Sequence, residues 1–117
     1  DRGLAMIRSL RSFEPDAPVT VLCLTASCAA AMRALAEPGV RLVTLPEFEQ
    51  ADPDLLAVKG GRTPRDYAFT LASCLVAAEL ATTAPGETAT YLDADLFFYS
   101  SPAPLHAAIE AIGTLAA

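Results

Sequence analysis

The sequence predicts an α/β fold with an open, mainly parallel sheet. Helix-like and strand-like segments alternate along residues 3–45, which is the order expected for parallel strands joined by crossover helices. The strand-like runs are short, apolar and rich in β-branched residues, as in strands buried on both faces. With 117 residues, 53% of them hydrophobic and 19% charged, the chain is globular in composition and we expect one domain, residues 1–117.

The first two predicted elements are a helix and a strand. Residues 3–13 carry apolar side chains at roughly helical spacing, with arginines off that face, so they predict an amphipathic helix that Pro15 ends. Residues 18–24, PVTVLCL, predict a buried strand. The apolar face of the helix comprises Leu4, Ile7, Leu10 and Phe13.

A second helix and a second strand follow. Ser27 can cap a helix over residues 28–37, CAAAMRALAE, which stops before Pro38-Gly39. Residues 40–45, VRLVTL, predict the second strand. The order of helix, strand, helix and strand therefore indicates a parallel sheet.

Two more helices are predicted in the middle of the chain. The dipeptide Asp52-Pro53 suits the N-cap and first turn of a short helix, which Gly60-Gly61 ends. Thr63 and Asp66 have capping-box spacing for a long helix over residues 64–82. That helix is apolar nearly all round, so we expect it to be covered on more than one side.

The last predicted elements are a turn at Pro85-Gly86, a third strand at residues 88–92, TATYL, and a helix at residues 104–112. Together the elements describe a Rossmann-like sheet that opens on a helix and ends soon after its third strand. We therefore expect a piece of a longer protein, truncated at both ends. The sheet edge left by a missing strand would favour association of copies, so a homo-oligomer is one expectation.

Charge and cysteine content restrict the partners. The net charge is −6 and there is no basic patch, which argues against nucleic-acid binding, and no apolar run reaches membrane-spanning length. Cys23, Cys28 and Cys74 form no CxxC pair. We expect buried free thiols and a cytoplasmic location, with a structural disulfide as the alternative.

Two aspartates, Asp93 and Asp95, follow the third predicted strand inside an apolar run. In extended backbone, residues i and i+2 point the same way, and ligands of open parallel sheets bind beyond the carboxyl ends of the strands. Adjacent carboxylates repel unless a cation or a proton lies between them. The pattern therefore predicts an Mg²⁺ or Mn²⁺ site open to phosphate oxygens; the alternative is a helix cap or a solvated turn.

The residues around this motif resemble the Asp-x-Asp region of nucleotide-diphospho-sugar transferases with the GT-A fold, in particular bacterial glycosyltransferases of family 8. The motif region is residues 91–102, YLDADLFFYSSP. Residues 4–24 resemble that family's first helix and second strand, and residues 62–76 resemble the helix before the motif strand. The resemblance covers nearly the whole chain in order, and its sharp motif is Asp93-Ala94-Asp95.

The resemblance implies a GT-A-type half domain that binds a sugar nucleotide, first of all a UDP-sugar, and transfers the sugar to an acceptor. It does not identify the acceptor. It assigns Mn²⁺ or Mg²⁺ to Asp93 and Asp95, and a contact with the nucleotide ribose to Asp93. Family members often carry an arginine where this chain has Phe69. Arg62, at the glycine turn, is the candidate replacement as a donor contact, and a solvated helix-start arginine is the alternative. His106 comes too early to match the family's late metal ligand, so we expect it to be exposed.

In such a transferase, the cation stabilises negative charge on the leaving diphosphate, and Arg62 or Lys59 could add to this. One alternative is a haloacid-dehalogenase-type phosphatase with Asp93 as its nucleophile. That motif usually continues with Gly and then Thr or Val, whereas Leu96-Phe97 follows here. The other alternative is a truncated transferase domain that acts only as a binding module.

Overall fold

The computed structural model describes residues 2–116, with side chains described through residue 112. This part of the chain forms six helices and two strands, and the strands pair in a small parallel sheet. The α/β class is thus confirmed, and no helix within residues 2–116 is long and apolar enough to cross a membrane. The elements are α1 (Arg2–Arg11), β1 (Val19–Cys23), α2 (Ala26–Leu35), β2 (Val40–Thr44), α3 (Leu45–Ala51), α4 (Pro53–Lys59), α5 (Pro64–Leu80) and α6 (Ala103–Ala116).

The chain divides into two compact units. The central unit is Thr20–Tyr91, and the terminal unit combines Asp1–Val19 with Leu92–Ala117. The sheet from Thr20 onward and helices α2 to α5 belong to the central unit, whereas α1 and α6 belong to the terminal unit. Asp93 and Asp95 therefore lie in the terminal unit and Arg62 in the central unit.

The core of the central unit forms where α3, α4 and α5 pack against the sheet. Its buried side chains are Phe48, Leu55, Tyr67 and Leu71. Leu55 and Leu71 are only 2% and 3% exposed, so most of their apolar surface is removed from water, which is the main favourable term in folding. Partly buried side chains from both strands, α3 and α5 complete the cluster: Leu22, Val43, Leu45, Cys74 and Leu75.

The helices of the central unit begin at side-chain caps. Asp52 caps α4 and Thr63 caps α5, as the sequence predicts. The cap of α2 is Thr25 rather than Ser27, because the Thr25 hydroxyl accepts the Cys28 N–H at 3.2 Å and the helix starts at Ala26. Ser27 instead lies inside the first turn, with its hydroxyl 3.1 Å from that of Thr25.

Helix α3 was not predicted from the sequence. Thr44 and Glu47 form a capping box, in which each side chain bonds the backbone of the other, and Pro46 occupies the first turn. Because the helix follows β2 directly, Leu45 belongs to α3 and not to the strand. Two short, well-capped helices therefore follow β2, although the sequence predicted only the second of them.

Helix α5 is less covered than the sequence predicts. Tyr67 and Leu71 are buried, but Phe69 is 64% exposed and Leu80 is 46% exposed. Within the described residues, one face of the helix carries the packing, and they do not supply the expected cover on a second side. The turn after α5 is as expected: Glu87 N–H bonds the Ala84 carbonyl at 3.0 Å.

The third predicted strand is not formed in the described part of the chain. Residues 88–92 have no strand assignment, and the sheet contains only β1 and β2. A strand exists only where a neighbour accepts and donates backbone hydrogen bonds, and a local β-branched pattern does not supply that neighbour.

In the terminal unit, α1 supports the segment that follows the aspartates. Met6, Ile7 and Leu10 are buried, whereas Phe13 lies beyond the end of the helix and is 39% exposed. The buried Ser9 hydroxyl donates to the Met6 carbonyl at 2.8 Å and accepts the Phe98 N–H at 2.9 Å.

Candidate functional site

The structure places Asp93 and Asp95 in an exposed turn. The Leu96 N–H donates to the Asp93 carbonyl at 3.2 Å, which closes the turn around Ala94 and Asp95. Both carboxylates are exposed. The expectation that they extend from a strand end is therefore corrected: a turn, and not extended backbone, presents them.

The chain after the turn is anchored to α1 and to the residues just beyond it. The Phe98 N–H bonds the Ser9 hydroxyl at 2.9 Å, and the Ser101 hydroxyl donates to Glu14 at 3.1 Å. On either side of Phe98, the rings of Phe97 and Tyr99 lie with centroids 5.0 Å apart and tilted by 51°. These contacts fix one end of the Asp-x-Asp turn within the terminal unit.

The two carboxylates have the donor chemistry of a partial metal site. Within residues 2–112, where side chains are described, neither carboxylate has a hydrogen-bond or ion-pair partner, and no group of three or more His, Cys, Asp or Glu side chains could hold a metal ion. Two carboxylates are too few for an all-protein cage. They fit a cation such as Mg²⁺, which is usually held by one or two carboxylates together with waters and substrate phosphates.

Arg62 lies on the surface of the central unit, directly before the N-terminus of α5. Its guanidinium donates to the Thr70 hydroxyl at 2.9 Å. It lines a shallow groove of about 360 Å³ along that helix, together with Asp66, Phe69, Thr70 and Ser73. The arginine is therefore accessible to a ligand and is oriented by a neutral partner.

Two other residues named from the sequence are exposed. Phe69 lies in the same groove, and the Arg65 guanidinium lies 5.9 Å from its ring centroid. His106 is exposed on α6, as predicted. In its described surroundings His106 is part of no metal-ligating group.

A buried polar cluster in the central unit was missed by the sequence interpretation. The Glu49 carboxylate, 8% exposed as a residue, accepts hydrogen bonds from Lys59 Nζ and from the Tyr67 hydroxyl, both at 2.7 Å. Lys59 also lies 5.5 Å from the centroid of the Tyr67 ring. Lys59, expected as a possible phosphate contact, is thus held in an ion pair within the protein.

The cluster shifts the pKa values of its members in opposite directions. Hydrogen bonds from Lys59 first, and from Tyr67 second, lower the pKa of Glu49. Burial, followed by the hydrogen bond to Glu49, raises the pKa of Tyr67 to about 12. The carboxylate is therefore held charged and the phenol neutral, which suits a structural link better than proton transfer near neutral pH. Glu49 carries no pattern in the sequence that distinguishes it from the neighbouring Glu47.

The three cysteines are free, but they are not uniformly buried. Cys23, the last residue of β1, is 1% exposed, whereas Cys28 is exposed and Cys74 is half-buried. The prediction of buried thiols therefore holds for Cys23 and is wrong for Cys28. Burial first, and the neighbouring Cys28 second, raise the pKa of the Cys23 thiol to about 11.

Comparison with known proteins finds relatives in Bacillus subtilis (strain 168). The chain is 29% identical over 104 residues to the uncharacterized protein YfnF, a match that covers 89% of this chain and 34% of YfnF. It is 32% identical over 104 residues to the uncharacterized protein YfnD, covering 89% of this chain and 33% of YfnD. The chain thus spans about a third of the length of the curated relatives it matches. No family model matches the chain, and no solved structure matches it.

Proposed function

We propose that the chain is part of a metal-dependent glycosyltransferase that binds a sugar nucleotide, first of all a UDP-sugar, through Asp93 and Asp95. The observation that carries this proposal is the Asp-x-Asp turn, in which two exposed carboxylates lie one residue apart without a partner among the described side chains. Two exposed carboxylates in one turn can offer oxygen ligands to a shared cation, which would offset their like charge.

The donor set supports a cation that arrives with its nucleotide. Asp93 and Asp95 supply hard oxygen ligands, which Mg²⁺ and Mn²⁺ prefer, and diphosphate oxygens and water complete the coordination. When bound, the cation supplies Lewis-acid stabilisation of the negative charge that grows on the leaving diphosphate. The two aspartates would hold and orient the cation, and neither serves as an acid or a base in this proposal.

Arg62 is assigned a contact with the donor nucleotide. Its guanidinium is exposed and bonded to the uncharged Thr70 hydroxyl, so it can still pair with a phosphate. Asp93 is also assigned the contact with the nucleotide ribose. The proposal further includes a Rossmann-like sheet of the GT-A type in the whole protein and a cytoplasmic location, to which the three free cysteines lend support.

Isothermal titration calorimetry of the 117-residue chain with UDP in the presence of Mn²⁺ tests this proposal. We expect heat of binding in the wild type, its loss in Asp95→Asn, and no change in Asp16→Asn. Asp16 is an exposed aspartate of the same unit, and Asp16→Asn removes the same charge as Asp95→Asn, so it is the matched control. Equal heats in the wild type and Asp95→Asn would overturn the proposal.

The same protein preparation separates the two alternative functions. A haloacid-dehalogenase-type phosphatase would form a phospho-aspartate at Asp93 with a phosphate monoester, which mass spectrometry of the trapped adduct detects. A binding module without activity would bind UDP through Asp95 and transfer no sugar. The first result would replace the transferase proposal, and the second would restrict it to binding.

A further inference from the structure

A shallow groove of about 360 Å³ follows the exposed side of α5. Its lining residues recur every three or four positions, so they form one stripe along the helix. They are Arg62, Asp66, Phe69, Thr70 and Ser73. All of them belong to the central unit, and the groove is therefore complete within one compact part of the chain.

Phe69 gives this groove an open aromatic face. Its side chain is 64% exposed, although an aromatic ring is stabilised when it is covered. The Arg65 guanidinium lies 5.9 Å from the ring centroid, which is within the range of cation–π attraction. Because the ring remains largely exposed beside this guanidinium, a planar group of a ligand can still stack on it.

Two guanidinium groups at the groove have no acidic partner within residues 2–112. Arg62 donates to the uncharged Thr70 hydroxyl at 2.9 Å, and the contact of Arg65 is with an aromatic ring. By contrast, Arg41 and Lys59 each pair with a glutamate of the protein. Arg62 and Arg65 therefore retain the capacity to bind an anion from solution.

The carboxylate among the lining residues is already engaged. Asp66 accepts a hydrogen bond from the Thr63 hydroxyl at 2.6 Å, in the cap of α5. The two guanidinium groups exceed this one negative charge, in a chain whose net charge is −6. Since an acidic protein repels anions over most of its surface, an anion bound here would be held by these particular residues.

We propose that the groove binds a nucleoside phosphate, with the base stacked on Phe69 and the phosphate held by Arg62 and Arg65. Aromatic rings beside basic groups bind nucleotides without regard to sequence, because every base has a face that stacks. The groove volume is that of a small-molecule site, and two guanidinium groups suit one phosphate group. This inference rests on the proposed function for its class of ligand, and it adds Arg65 and Phe69 as binding residues that need no metal.

Nuclear magnetic resonance of the isotope-labelled chain, titrated with UMP in the presence of EDTA, tests this site. We expect the Nε signals of Arg62 and Arg65 and the amide signals of Phe69 and Ser73 to shift as UMP is added. Uridine lacks the phosphate and inorganic phosphate lacks the base, so each should bind more weakly than UMP.

Substitutions on the exposed side of α5 separate the two contacts. Arg65→Gln should weaken UMP binding at least roughly tenfold, because a hydrogen bond between charged groups is lost. Phe69→Ala should weaken it at least roughly fivefold, because the base loses its stacking partner. The controls are Arg33→Gln, at an exposed arginine of the same unit, and Leu80→Ala, at the other end of α5, and both should bind UMP like the wild type.

Equal affinity of the wild type, Arg65→Gln and Phe69→Ala for UMP would overturn this inference, and so would a titration in which no groove signal shifts. Inorganic phosphate that binds as tightly as UMP would contradict the stacking contact. Asp95→Asn should bind UMP like the wild type in EDTA, because this contact needs no metal. We expect that contact to be too weak to add heat to the titration with UDP and Mn²⁺, so a failure of the groove and a failure of the Asp-x-Asp turn give different results.

Discussion

The buried Glu49 carboxylate joins three consecutive helices through two hydrogen bonds. Glu49 lies on α3, Lys59 is the last residue of α4, and Tyr67 lies in the second turn of α5. A buried carboxylate that lost one of these partners would keep its desolvation cost without full compensation. We infer that the cluster fixes the positions of the three helices in the central unit.

The raised pKa of Tyr67 gives this cluster a pH dependence of known sign. Its phenol has a pKa of about 12 in the folded chain, against an ordinary value of 10.0, first because of burial and then because of Glu49. The folded state therefore binds this proton more tightly than the unfolded state does. The stabilisation is complete below about pH 10 and is lost as the pH rises towards 12.

We expect Tyr67→Phe to lower the free energy of unfolding at pH 7 by roughly 1.5–3 kcal/mol, because it removes a hydrogen bond to a charged acceptor. Urea unfolding over a pH series measures this. The difference between wild type and variant should narrow between about pH 10 and 12. Tyr99→Phe, at a side chain that is 87% exposed, is the control. This variant should lose unfolding free energy at alkaline pH in the same way as the wild type. A difference that stays constant across this range would contradict the assignment.

The role of a residue could be predicted from the sequence where its partners are close to it along the chain. The adjacency of Asp93 and Asp95 is visible in the sequence, and so are the caps at Asp52 and Thr63. Glu49 could not be recognised, because its partners lie 10 and 18 residues away and only the packing of three helices brings them together.

At the scale of elements, short-range signals predicted helices better than strands. Helix α3 had a readable signal, the Thr44 to Glu47 capping box, but its seven residues are too few to show a clear apolar period. Residues 88–92 showed a strand-like pattern, yet no strand forms there in the described structure. The difference has a physical origin, since a helix closes its hydrogen bonds within itself and a strand depends on a distant segment.

Helix α4 offers a direct test of which contacts hold the central unit together. Leu55 is 2% exposed within the core, whereas its neighbour Leu56 is 52% exposed. We expect Leu55→Ala to cost about 2–5 kcal/mol of unfolding free energy, because it leaves a cavity, and Leu56→Ala to change it by no more than about 0.5 kcal/mol. Chemical denaturation measures the unfolding free energy of both variants. Equal losses would show that α4 does not pack as described.

At the scale of the whole molecule, the sequence predicted the α/β class and most of the element order. The sequence overestimated the size of the sheet: it predicted three strands, and two are paired in the described residues. The chain also spans about a third of the relatives it matches. In the whole protein, a wider sheet would require strands contributed from outside the described residues, which the local pattern cannot reveal.

The central claim is that the Asp-x-Asp turn binds a divalent cation together with a nucleotide diphosphate. Because the turn supplies two carboxylates, the cation should bind weakly to the chain alone and more tightly when phosphate oxygens complete its coordination. The affinities for Mn²⁺ and for UDP should therefore depend on each other, as thermodynamic linkage requires.

Electron paramagnetic resonance of Mn²⁺ titrated into the chain, with and without UDP, measures this linkage directly. We expect UDP to tighten Mn²⁺ binding in the wild type and in Asp16→Asn. Loss of an indirect, outer-sphere partner already weakens metal binding roughly 10–100-fold, so loss of a ligand in Asp95→Asn should weaken it at least roughly tenfold. Mn²⁺ binding that is unaffected by UDP, or that survives Asp95→Asn unchanged, would contradict the claim.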